Sequence, residues 1–180
     1  ERFAESAAAY DKMISRIGAI KQHHWTLFYY RGVSLERSDQ WDLAEADFMK
    51  ALELNPDQPT VLNYLAYTWV TMNENLDQAL DMLKKAVEQR PEDGFIIDSV
   101  GWAYYMIGDY VKAVDYLERA VEFEPTDSTI NEHLGDAYWK IGRHEEAKFQ
   151  WRRALSFEPE EERIAPLQTK LDSGLSDNPT

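Results

Sequence analysis

At 180 residues, with 44% apolar and 29% charged side chains, the chain is long enough and apolar enough to bury a core. Its 33 Asp and Glu outnumber 19 Lys and Arg, and a formal net charge of −14 repels polyanions, which argues against nucleic acid as a partner. The chain has no cysteine, which removes disulfides, thiolate metal sites and cysteine nucleophiles. No run of 18 apolar residues occurs that could span a bilayer as a helix.

Taken in chain order, residues 1–24 hold an apolar-periodic helix running from Phe3 to about Ile17 and a connection. Four longer segments follow, and their punctuation is regular: Pro56, Pro91, Pro125 and Pro159 lie 35, 34 and 34 residues apart, each closing a segment of helical period. The repeats are therefore 25–58, 59–93, 94–127 and 128–161. Each carries two helices split by a turn whose residue must tolerate a left-handed backbone: Asp39, Asn73, Gly108 and Gly142. Small residues recur at Gly32, Ala66, Gly101 and Gly135, at Ala44, Ala79, Ala113 and Ala147, and at Ala51, Ala86, Ala120 and Ala154. Large ones recur at Leu35, Trp69, Tyr104 and Tyr138, and at Phe48, Leu83, Leu117 and Trp151. Small columns beside large ones let paired helices approach closely and interdigitate. Segment 162–172 offers Ile164, Leu167 and Leu171 as a capping helix, with Pro166 expected in its first turn, and 173–180 has the composition of a loose tail.

A 34-residue helix-turn-helix with these columns resembles the tetratricopeptide repeat over residues 25–161. The departures are Arg31 and Asn131 at usually apolar positions, and one extra residue between Asn73 and Leu76. The resemblance implies an all-α, right-handed α-solenoid with a C-terminal capping helix. The helix at Phe3 to Ile17 matches the second helix of such a repeat with no first helix before it, so Phe3, Tyr10, Ile14 and Ile17 are expected to form an apolar stripe suited to self-association.

The resemblance also implies a groove lined by the first helix of each hairpin. The usual groove columns carry Tyr29 in the first repeat and Asn63 and Tyr67 in the second. They carry Phe95, Asp98, Trp102 and Tyr105 in the third, and Glu132, Asp136 and Trp139 in the fourth. Aromatics among carboxylates suit a protein or peptide segment with apolar and basic side chains. The Lys, Asn and Arg clamp with which chaperone-binding members grip terminal carboxylates is missing, because Tyr29 and Val33 stand in its first two columns.

No phosphate-binding loop, nucleophile elbow or zinc helix is present, so no catalytic residue, metal or cofactor is expected. His23 and His24 fall in a connection, while His133 and His144 fall in different helices. Glu145, Glu146 and Glu160 to Glu162 stand at helix starts, where acids complement the helix dipole. The basic set Lys140, Arg143, Lys148, Arg152 and Arg153 is expected to pair with nearby carboxylates. The function expected is a non-catalytic scaffold or adaptor for a protein client; the alternative is a structural array that oligomerises or holds a larger repeat protein together. The stretches Leu62–Tyr67, Gly101–Tyr105 and Gln150–Leu155 further resemble C-terminal arrays of long proteobacterial repeat proteins, some of them envelope lipoproteins serving periplasmic proteases. That likeness implies a periplasmic or envelope setting and leaves the cytoplasm open.

Overall fold

The computed structural model describes residues 2–175. Among them are ten α-helices and no strand: α1 Arg2–Ile14, α2 Trp25–Glu36, α3 Trp41–Leu54, α4 Pro59–Thr71, α5 Leu76–Gln89, α6 Gly94–Ile107, α7 Tyr110–Phe123, α8 Ser128–Lys140, α9 His144–Ser156 and α10 Glu161–Ser173. A short 3-10 turn, Gln22–His24, precedes α2. The chain divides into two compact units, 1–65 and 66–180, and the division falls within α4.

The turn residues behave as their chemistry requires. Asp39 and Asn73 have φ of 60° and 57°, and Gly108 and Gly142 have φ of 92° and 82°. The extra residue near Asn73 is absorbed by a second left-handed residue, Asn75, at φ 47°. Asp93, Asp109 and Asp127 start α6, α7 and α8, each accepting a hydrogen bond from a backbone N–H three residues on, at 3.3, 3.2 and 2.9 Å.

The small and large columns meet. In the first unit Ala44, Phe48 and Ala51 are fully buried, and a Cβ on Gly32 would lie 2.8 Å from Phe48. In the second unit Ala79, Leu83 and Ala86, Ala113, Leu117 and Ala120, and Ala147, Trp151 and Ala154 are equally buried. There a Cβ on Gly101 would lie 2.6 Å from Leu117, and one on Gly135 would lie 2.5 Å from Trp151. Phe48, Leu117 and Trp151 thus each occupy the space that the facing glycine leaves.

The ends differ from expectation. α1 stops at Ile14, and Ile17 lies beyond it in a turn closed by a bond from its N–H to the Ile14 carbonyl (3.1 Å), so Ile17 does not extend the helical stripe. The residue of α1 that is buried is Ala7; Phe3 is 49% exposed, and Tyr10 stacks on Tyr30 with ring centroids 6.2 Å apart. Ser6 bonds Ser34 at 2.9 Å, which with Tyr10 ties α1 to α2. Pro166 sits inside α10 in its second turn rather than its first, and Ile164 is 37% exposed, leaving Leu167 as the buried apolar residue of that helix. Ser173 still belongs to α10 and Gly174 is buried, so the tail expected from 173 onward is packed at its start. Residues 176–180 of that tail lie outside the described residues.

Candidate functional site

Of the expected groove residues, Tyr29 and Asn63 belong to the first unit. The Tyr29 ring lies 5.1 to 6.3 Å from those of Trp25, Tyr30, Phe48 and Tyr64, so it is the hub of an aromatic cluster. The Tyr64 hydroxyl donates to Glu36 at 3.0 Å. The Asn63 Oδ1 is buried with no hydrogen-bond partner among the described residues.

The other eight lie in the second unit. On α6, Phe95, Asp98, Trp102 and Tyr105 follow one another at spacings of three and four residues, which places them on one face of the helix. Phe95 is 51% exposed. Trp102 stacks on Tyr105 at 4.6 Å and 7°, and on His133 of α8 at 4.0 Å and 10°. His133 Nδ1 in turn meets the Asp98 carboxylate at 2.9 and 3.1 Å. Tyr67 and Tyr105 are partly buried, and burial pushes both phenols well above their ordinary pKa; the carboxylates of Asp98 and Asp136, respectively, add to the shift.

The three expected groove carboxylates are not free, and this corrects the picture of an open acidic stripe. Asp98, Glu132 and Asp136 are each 5% exposed and bonded within the chain. Arg163 of α10 donates to Glu132 at 3.0 and 2.6 Å. Lys170 of α10 donates to Glu132 at 2.6 Å and to Asp136 at 2.9 and 2.7 Å, and the Trp151 indole N–H donates to Asp136 at 2.8 Å. Burial alone would raise the Glu132 pKa, but Lys170 and Arg163 outweigh it and hold the carboxyl below its ordinary value. Around Asp136, burial prevails over Lys170 and raises the carboxyl's pKa. Trp139 stacks on His144 at 4.1 Å and packs 5.4 Å from Trp151.

Sequence reasoning missed Arg163 and Lys170. Their signal was legible, since Arg163, Leu167 and Lys170 stand four and three residues apart on one helical stripe. It missed His133 because a lone histidine on a helix carries no mark of its partner. Of the basic set, Arg143 meets the expectation of pairing with carboxylates, whereas Arg153 bonds a backbone carbonyl instead. Arg143 pairs with Glu118 and Glu146 and lies 4.0 Å from the Tyr138 ring, and Arg153 donates to the Pro125 carbonyl. Among the described residues no group of three or more acidic, His or Cys side chains is placed to hold a metal, and no helix is long and apolar enough to cross a membrane.

Two buried phenols give a measurable pH dependence. Burial, then Glu36, pushes Tyr64 up to about 12, and burial, then the 2.7 Å bond to Glu118, does the same for Tyr138. The fold keeps these phenols protonated while the unfolded chain ionises them near the ordinary phenol value of 10.0, so their stabilisation is complete below that pH and is lost as pH rises through about 12. Phenolate absorbance of the folded protein should therefore still be rising at about pH 12; a titration already complete by about pH 11 would contradict the burial of both rings.

The helical hairpins and their small-against-large seams define a class, the all-α helical repeat protein. Two family profiles described as Tetratricopeptide repeat match residues 25–58 and 107–171. The chain is a tetratricopeptide-repeat protein. Over 87 residues, 48% of its length, it is 31% identical to a TPR repeat-containing protein of Pseudomonas aeruginosa. Over 95 residues, 52% of its length, it is 30% identical to the BBSome complex member BBS4 of Bos taurus. It spans only 15% and 18% of those two relatives. Solved structures of MamA share the fold. A MamA RS-1 double mutant has a TM-score of 0.72 at 18% identity, covering 86% of this chain and 84% of that one. MamA 41-end from Desulfovibrio magneticus RS-1 has 0.63 at 20%, covering 83% and 78%. The envelope lipoprotein origin implied by resemblance has no support in these matches. Tetratricopeptide repeats mediate protein–protein interactions, and a repeat fold of this kind is typically non-catalytic.

Proposed function

We propose that this chain is a non-catalytic adaptor that holds a segment of a client protein against the α6 face of its second unit. The observation that carries this is the row Phe95, Trp102 and Tyr105: one ring half-exposed, the other two stacked and still reaching the surface. Stiff rings supply contact area at small entropic cost, and they dominate the energetics of most protein interfaces. Asp98, Glu132 and Asp136 contribute to this face by fixing its neighbours, since their oxygens are already bonded. Tyr67 and Trp139 flank the row as further candidates.

The test compares the proteins captured from extract by the wild type and by a Phe95→Ala, Tyr105→Ala variant of equal helical content. Loss of one defined partner by the variant alone supports the reading, and identical capture by both proteins refutes it. The structural alternative draws on the exposure of Phe3, Met13 and Ile20, which leaves α1 and the segment after it with apolar surface uncovered. A dimer that dissociates on Phe3→Ser would favour that reading.

A further inference from the structure

α10 is fastened to its unit by charge more than by apolar contact. Leu167 is its one fully buried side chain, whereas Arg163 and Lys170 together make five hydrogen bonds of 2.6–3.0 Å to Glu132 and Asp136. Its C-terminal end closes on Trp139 through Gly174, where a Cβ would lie 2.0 Å from the indole, so that only a glycine allows the ring to sit against the backbone. A helix of 13 residues with an internal proline is weak by itself, because Pro166 withholds a backbone donor and short helices barely form in water. α10 is therefore helical because it is docked, and it has little intrinsic stability to hold it there.

We propose that α10 is a resident occupant of a helix-receiving site formed by α9 and the carboxylates of α8, and that a basic helix of a partner protein displaces it. The partner helix carries a cation, an apolar residue and a cation at the spacing of Arg163, Leu167 and Lys170. This rests on the reading of the second unit as a protein-binding face. A competing helix without an internal proline makes the same bonds to Glu132 and Asp136 and loses less on ordering. A net charge of −14 steers a basic segment toward the chain. Displacement also uncovers Trp139, one of the flanking aromatics, so release of α10 enlarges the surface offered to the client. The arrangement makes α10 an autoinhibitory contact.

The probe is a labelled peptide with the sequence of residues 160–175 carrying Pro166→Ala and with Glu160, Glu161 and Glu162 each changed to Gln, so that it is net basic, titrated by fluorescence anisotropy into the full chain. Gly174→Ala in the chain pushes the α10 end off Trp139 and leaves every acid in place. The peptide should bind this variant about tenfold more tightly than the wild type. A control peptide with Arg163 and Lys170 both changed to Glu should not bind. Equal affinity for variant and wild type, or equal binding of the control peptide, overturns the proposal. A second measurement does not depend on the variant folding: in the wild type, α10 amides should exchange about tenfold faster than those of α8 and α9. Exchange of α10 in step with α9 overturns the proposal, as does a dimer formed by swapping α10 between copies, which would make a second copy the occupant. Capture through Phe95 and Tyr105 is unaffected by any of these failures, so the two readings fail separately.

Discussion

Trp151→Ala should destabilise the second unit by about 3–5 kcal/mol, the range for truncating a large buried aromatic, and is expected near its upper end. Trp151 is fully buried, and its ring takes the space that Gly135 leaves. It also packs against Trp139, and its indole N–H bonds Asp136 at 2.8 Å. Truncation therefore opens a cavity and removes one donor from a buried carboxylate that keeps only Lys170. Trp151→Phe retains most of the volume and should cost less, about 1–3 kcal/mol, most of it from the missing N–H. Urea unfolding followed by circular dichroism measures both, with the chain's two compact units fitted as separate transitions. A loss below about 1 kcal/mol for Trp151→Ala would mean that the seam between α8 and α9 does not depend on this ring.

The seams were legible because they rest on side-chain size, and size recurs with the repeat. Phe48, Leu83, Leu117 and Trp151 share a column in the sequence and are all fully buried in the fold. The left-handed turn residues were legible for a similar reason: Asp39, Asn73, Gly108 and Gly142 each tolerate positive φ, and each adopts it. The charged face was not legible. Asp98, Glu132 and Asp136 stand at positions where a carboxylate reads equally well as a ligand contact or as half of an ion pair. Choosing between them needs the location of the partner, which for Glu132 and Asp136 comes from α10, 31 to 38 residues further along, and for Asp98 is His133 of α8. Periodicity says which side of α10 carries Arg163 and Lys170 but not what that side touches. The end of α1 was misjudged because Ile17 continues the apolar spacing past Ile14, where the helix ends. Apolar period alone does not mark a helix end.

Arg31→Leu should cost about 3–5 kcal/mol in the first unit, although it places an apolar residue in a column where the repeat usually has one. The sequence suggests that Arg31 only weakens a contact; the structure gives it a partner. Its guanidinium donates twice to Asp47, both bonds at 2.6 Å, and once to Asp11 of α1 at 2.7 Å. Asp47 is 5% exposed, so removing Arg31 leaves a buried carboxylate without its counter-charge, and that desolvated charge is the source of the loss. Asp47→Leu alone should cost less, because Arg31 keeps Asp11 and is itself only half-buried. The double variant Arg31→Leu, Asp47→Leu should come within about 1 kcal/mol of the wild type, since an apolar pair of similar volume replaces an ion pair without stranding either member. A double-mutant cycle in urea measures the coupling. If the double variant is as unstable as Arg31→Leu, the loss belongs to the Arg31–Asp11 link between α1 and α2, and Asp47 is a bystander. Recovery in the double variant would instead show that Arg31 and Asp47 are a matched substitution, polar in both helices where the other repeats are mostly apolar, and that this hairpin accepts either pairing but not a mixture.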